Sequence, residues 1–160
     1  MNSYFMPHLP GNRLFEQESI VSTTNKATTS KLIPTVWGVP ETFNRRLGDR
    51  AGKQRAMVHE GHLLLVLHDP PASGDKTRQA RLFYRRPDGV WSTTADGNGT
   101  VGLQKHLERF EQLIETLDLR EDRAVTADEY FKLTEEILPL KRASVNLLAT
   151  LDDARKQVPE

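Results

Sequence analysis

Between residues 32 and 94 the apolar side chains come in short dense runs, and from residue 103 onward they recur at alternating intervals of four and three. The first pattern belongs to strands, the second to helices with one apolar stripe. LIPTVWGV (32–39) is rich in β-branched and aromatic residues and predicts a strand, with Pro34 favouring an edge. Pro40 suits a first helical turn, Phe43 and Leu47 share a face, and Gly48 supplies a stop. QRAMVH and HLLLVLH flank Glu60-Gly61, which predicts a hairpin over 54–68. HLLLVL is apolar on both faces, so this strand should be central and covered on both sides. RQARLFYRR (78–86), the turn Pro87-Asp88-Gly89 and VWSTT (90–94) extend the hairpin into an antiparallel meander.

After the loop ADGNG, Leu103, Leu107, Phe110, Ile114 and Leu117 mark one helix. Thr126-Ala127-Asp128-Glu129 is a capping box that starts another, with Val125 and Tyr130 at staple positions. Leu133, Ile137, Leu140, Ser144, Leu147, Leu151, Ala154 and Val158 then carry the spacing onward. Pro139 interrupts this series, and because the register survives it the pattern predicts a kink rather than a new helix. The fold class is α+β: a small, mainly antiparallel β-sheet with a short helix, followed by a C-terminal helical hairpin or long kinked helix. Residues 32–160 form one such domain, with the sheet part in 32–96 and the helical part in 97–160. Residues 1–31 include the Ser/Thr-rich stretch SIVSTTNKATTSK and read as a disordered or extended tail.

A length of 160 residues suits one domain, and 37% apolar against 28% charged residues leaves little apolar surface to spare. Lys plus Arg equals Asp plus Glu at 22 each, so overall charge points to no polyanionic partner. The two parts differ: residues 1–100 carry 13 basic and 9 acidic side chains, residues 101–160 carry 9 and 13. The absence of cysteine removes disulfides, thiol catalysis and Cys-based metal sites. No apolar run has membrane length and the first residues lack a secretory layout, so a cytoplasmic location is the default expectation.

Each motif that invites a chemical reading has a plainer one beside it. His59-Glu60-Gly61-His62 has histidines three apart across a turn, whereas zinc proteases place them four apart on a helix. Gly97-Asn98-Gly99-Thr100-Val101-Gly102 fits the dinucleotide fingerprint, but no second parallel strand with a ribose-binding acid follows, which leaves a loop and helix start. Arg81 and Arg85 flank Phe83 on one strand face, and with Arg45, Arg46, Arg50, Lys53 and Arg55 they could form a basic face for single-stranded nucleic acid. A single aromatic there and an acidic helical part argue against that. The helical carboxylates fall off the apolar stripe, where solvated charges belong, and no nucleophile motif surrounds any Ser or Thr. The expectation is therefore a non-enzyme with no catalytic residue, no cofactor and no metal ligand.

The most informative segment is the last helix, which at ~1.5 Å per residue outreaches so small a sheet. Leu140, Leu147, Leu148, Leu151 and Val158 are the expected self-association residues, calling for a second copy or the remainder of a longer chain. If Leu147, Leu151 and Val158 proved enclosed by the chain itself, that basis would go. VWGVPETFNRRLG, HLLLVLHDPP, LFYRRPDGVW and ADEYFKLTEEILPLKRASVNLLATLDDAR, spanning about residues 33–158, together resemble the soluble part of CorA-type magnesium transporter-like proteins. The resemblance implies a regulatory, oligomerising domain of a membrane protein; that family's Gly-Met-Asn motif and membrane helices are absent, so no metal-site residue carries over. The leading expectation is thus a cytoplasmic oligomerisation domain with no membrane insertion by this segment. A peptide- or small-ligand-binding module at the sheet edge, lined by Trp37, Trp91 or Tyr84, and a weak single-stranded nucleic-acid binder are the alternatives.

Overall fold

The structure, a computed structural model, describes residues 30–72, 74 and 77–158. A 3-10 turn (Thr35–Trp37) and helix α1 (Glu41–Leu47) precede strands β1 (Arg55–His59), β2 (His62–His68), β3 (Ala80–Arg85) and β4 (Trp91–Thr93). Helices α2 (Gly99–Glu121) and α3 (Ala127–Gln157) complete the chain. The expected α+β class holds. All strand pairs are antiparallel and the sheet order follows the chain, β1-β2-β3-β4.

The predicted hairpin turn is present, with Glu60 at φ 48 and Gly61 at φ 77, the left-handed pair that a two-residue hairpin loop requires. Beyond it β2 alternates its apolar side chains between two cores. Leu63, Leu65 and Leu67 join Phe83 of β3 on one face, and α2 and α3 cover them with Phe110, Leu117, Leu133, Leu140 and Leu147. Leu64 and Val66 join Met57, Leu82 and Tyr84 on the other, under Phe43 and Leu47 of α1. α3 lies across β1 and β2, and α2 across β3 and β4. Gln54 ties this arrangement together: its amide donates to the Ala143 carbonyl of α3 while its oxygen accepts from the His68 N–H.

The stretch 32–39 is not a strand. Pro34 and Pro40 lack N–H donors, and Gly38 takes a left-handed conformation (φ 57) and closes the 3-10 turn by donating to Thr35 O. Ile33 is still buried, so the apolar content serves packing rather than pairing. Of the segment read as a tail, residues 1–29 lie outside the described residues. Ser30 is buried, its hydroxyl donating to Gly48 O and its N–H to Asn44 Oδ1, so this residue of the expected tail packs with α1.

α3 is continuous through Pro139, with its expected capping box formed between Thr126 and Glu129. The larger correction concerns its stripe. Leu140 and Leu147 are each 5 % exposed and lie in the chain's own core, with Leu151 and Val158 partly buried against it. A 31-residue helix does outreach one strand, but it crosses two and contacts α2 as well. This stripe is occupied within the chain. In α2 the inward positions are Gly102, His106, Phe110 and Leu117, while Leu107 and Ile114 turn outward.

The glycine motif is a packing device. Gly97 (φ 96) and Gly99 (φ 53) are left-handed, and a Cβ on Gly102 would sit 3.2 Å from both Thr93 Cγ2 and Gly97 O. The close approach seats the first turn of α2 on β4. Gly102→Val should therefore lower the unfolding free energy by roughly 1–3 kcal/mol, read as a reduced urea midpoint at unchanged m-value.

Candidate functional site

Two features stand out: a partly buried charge cluster beside α2, and an uncovered apolar face on α3. The cluster forms where β2 ends. Asp69 follows the last residue of β2, and its backbone N–H bonds Gln79 O, which fixes it beside Arg81 of β3. Arg81 grips its carboxylate with Nε at 2.9 Å from both oxygens and Nη2 at 2.6 Å from Oδ2. Arg109 of α2 reaches Asp69 Oδ1 at 3.3 Å and also pairs with Asp96 in the loop after β4. Burial pushes the Asp69 carboxyl up, but the Arg81 hydrogen bond and the Arg81 and Arg109 charges outweigh it and hold it below the usual range.

His106, three residues before Arg109, is 1 % exposed and edges onto Phe83 and Phe110 at ring distances of 5.7 and 5.6 Å. Its Nδ1 is 3.8 Å from Asp69 Oδ1, too far for a hydrogen bond, and neither ring nitrogen has a partner among the described residues. Burial pushes its pKa down to about 4; Asp69 and the His68 backbone pull it back, while Arg109 and Arg81 press it lower. The cluster thus joins β2, β3, α2 and the β4–α2 loop through a shared carboxylate. It presents no nucleophile, and His106 is sealed from solvent. Its arrangement supports packing rather than proton transfer.

The expected basic face is divided. Arg81 and Arg85 share the β3 face of Phe83, the one α2 and α3 cover, and Arg81 is spent on Asp69. Arg45 and Arg46 lie exposed on α1, across the sheet. The four residues do not meet. The aromatics expected to line a ligand groove are packed: Tyr84 is buried, Trp37 stacks on it at 5.9 Å, and Trp91 lies against the helical-side core and Gly99. His62 Nδ1 lies 2.7 Å from the Tyr84 hydroxyl, and His59 Nε2 lies 3.3 Å from Thr42 Oγ1, so both hairpin histidines have local partners.

Among the expected self-association residues only Leu148 is strongly exposed, at 62 %. It has companions that the periodicity of the stronger stripe obscured. Phe131 (63 %), Leu138 (49 %) and Val145 (59 %) recur every seventh residue, with Leu148 one turn further, on the side of α3 away from the sheet. Beside them a groove between α2 and α3, about 400 Å³, is floored by Ile114, Leu117, Ile137, Leu140 and Val145. Ser144 also lines it, and its buried Oγ has no partner among the described residues. Asp118 and Glu121 rim the α2 side and Lys141 the α3 side, with Arg142 adjoining. Among the described residues none of these four forms a salt bridge.

The buried histidine makes a testable contribution to stability. Unfolded, His106 titrates near 6.5; folded, near 4. As pH falls through this window the unfolded chain takes up a proton that the folded chain refuses, so stability falls by about 3 kcal/mol. His106→Leu should flatten the pH dependence of unfolding between 6.5 and 4 and raise stability at pH 5, as measured by urea denaturation. An unchanged slope would show that the imidazole is not the group responsible.

No family model matches the chain, and neither does any curated protein or any solved structure.

Proposed function

We propose that this domain is a non-catalytic assembly unit that pairs with a second copy of itself through the outer face of α2 and α3. The observation that carries the reading is the stripe Phe131, Leu138, Val145 and Leu148 beside an apolar groove, on helices whose inner stripe is already spent on the sheet. Heptad recurrence on an exposed helix face is the pattern that a second helix covers by side-chain interdigitation. A contiguous uncovered apolar surface flanked by charges is a pairing surface more often than a solvated one.

Charge selects the partner and its orientation. One rim is acidic, Asp118 and Glu121, and the other basic, Lys141 and Arg142. A two-fold axis running along the groove sets the acidic rim of each copy against the basic rim of the other. An axis across the groove would oppose like charges. The patch is therefore self-complementary in one symmetric arrangement. Under the resemblance to CorA-type proteins, such a unit would be the assembling soluble portion of a membrane protein. Among the described residues no helix is long and apolar enough to cross a membrane.

Sedimentation velocity at tens of micromolar tests the reading. The chain should sediment as a dimer, and Leu138→Lys with Val145→Lys should weaken the dimer by ~100-fold or more, equivalent to about 3 kcal/mol. Because both residues are already exposed, the variant monomer should keep its fold by circular dichroism. A wild-type chain that sediments as a monomer throughout would contradict the proposal.

A further inference from the structure

Among the described residues four arginines have carboxylate partners: Arg81 with Asp69, Arg86 with Asp88, Arg109 with Asp69 and Asp96, and Arg120 with Glu136. Of those without one, Arg50 and Arg78 line the same concavity. Three separate stretches of chain, around residues 50–52, 68 and 77–80, surround an open concavity of about 530 Å³. Arg50, Arg78 and His68 line it next to Leu32, which packs on the α1-side core. Among its described lining residues there is no carboxylate. Neither Arg50 nor Arg78 has a salt bridge among the described residues.

The neighbouring charge adds to the imbalance. Arg55 donates to the carbonyls of Ala51 and Lys53, which holds the rim in place, and it has no salt bridge among the described residues. His68 is pushed down by burial and then by Arg78, with Arg55 adding to this; the Gly52 backbone and Asp69 oppose them. Asp69, which follows His68 in the chain, is committed to Arg81 and Arg109. Arg55 is likewise pushed down, by burial and then by Arg46. Positive charge therefore gathers here, and none of Arg50, Arg55 and Arg78 forms a salt bridge among the described residues.

We propose that this concavity binds the phosphate of a phosphorylated ligand, held by Arg50 and Arg78 with His68 as a third contact. Guanidinium groups grip phosphate oxygens in a forked geometry, and a dianion matches two or more uncompensated cations better than a carboxylate does. The open shape accommodates a group larger than one ion. A single nucleic-acid strand fits less well, because the site lacks an aromatic platform on which bases would stack: Trp37 is stacked on Tyr84. The site is in the layer opposite the α2–α3 groove and does not depend on pairing.

Isothermal titration of the full chain with inorganic pyrophosphate tests this. One saturable site is expected, weakened by ~10-fold or more in Arg50→Ala and in Arg78→Ala. Arg78→Lys, which keeps the charge and loses the fork, should fall between. Arg85→Ala, on the other sheet face, should bind as the wild type does, and thermal melts check that each variant folds. Flotation with phosphatidylcholine vesicles containing phosphatidylinositol bisphosphate separates two sources of the same chemistry. Vesicle binding that pyrophosphate reverses identifies a lipid headgroup, and pyrophosphate binding without vesicle binding identifies a free phosphorylated molecule. The proposal is overturned if pyrophosphate shows no saturable binding at millimolar concentration, or if both alanine variants bind like the wild type. Single-stranded DNA binding that pyrophosphate does not displace would overturn it as well.

Discussion

Burial of β2 on both faces is the constraint from which the rest of this architecture follows. Leu63, Leu65 and Leu67 point one way, and Leu64 and Val66 the other, each less than a twentieth exposed. A strand with no polar face must be central and must have cover on two sides. The short helix α1 supplies one layer and the α2–α3 pair the other. To cover β2 and its neighbours the long helices give up their inner stripe, Phe110, Leu117, Leu133, Leu140 and Leu147. What they retain for other purposes is the outer face, and on α3 that face is apolar.

The local features were readable because they depend on neighbouring residues. The Glu60-Gly61 hairpin, the Thr126–Glu129 capping box and the run of helix through Pro139 all rest on contacts within a few positions. Residues 32–39 have the composition of a strand, but Pro34, Gly38 and the following Pro40 prevent one. Leu140 and Leu147 were legible as one apolar stripe and were expected to meet a second copy, but the surface that covers them is the chain's own sheet, which depends on strands some eighty residues earlier. The outer stripe escaped notice for a related reason. Phe131, Leu138 and Val145 recur at seven, without the intervening apolar positions that made the inner stripe conspicuous. His106 and Asp69 could not be joined from sequence, since their approach depends on how α2 crosses the sheet.

The charge asymmetry of the chain acquires a spatial meaning in the layers. Within the helical layer Arg109 and Arg120 are paired across elements, and Arg81 is drawn inward to Asp69. Positive charge gathers around Arg50, Arg55 and Arg78, on the side of the sheet away from α2 and α3. Burial of apolar surface set the layers, and charge then separates two surfaces suited to different partners. One is apolar with rims of opposite sign, the other concave and cationic.

The central claim is that association proceeds through the outer face of the helical pair. The chain has no cysteine, so a single one can be introduced and spin-labelled at a chosen place. Dipolar spectroscopy on a label at Arg142, beside the groove, should show a short, narrow distance between copies, while a label at Arg45 on α1 should show only a long one. A short distance from Arg45, or no dipolar coupling between copies at Arg142, would contradict the account.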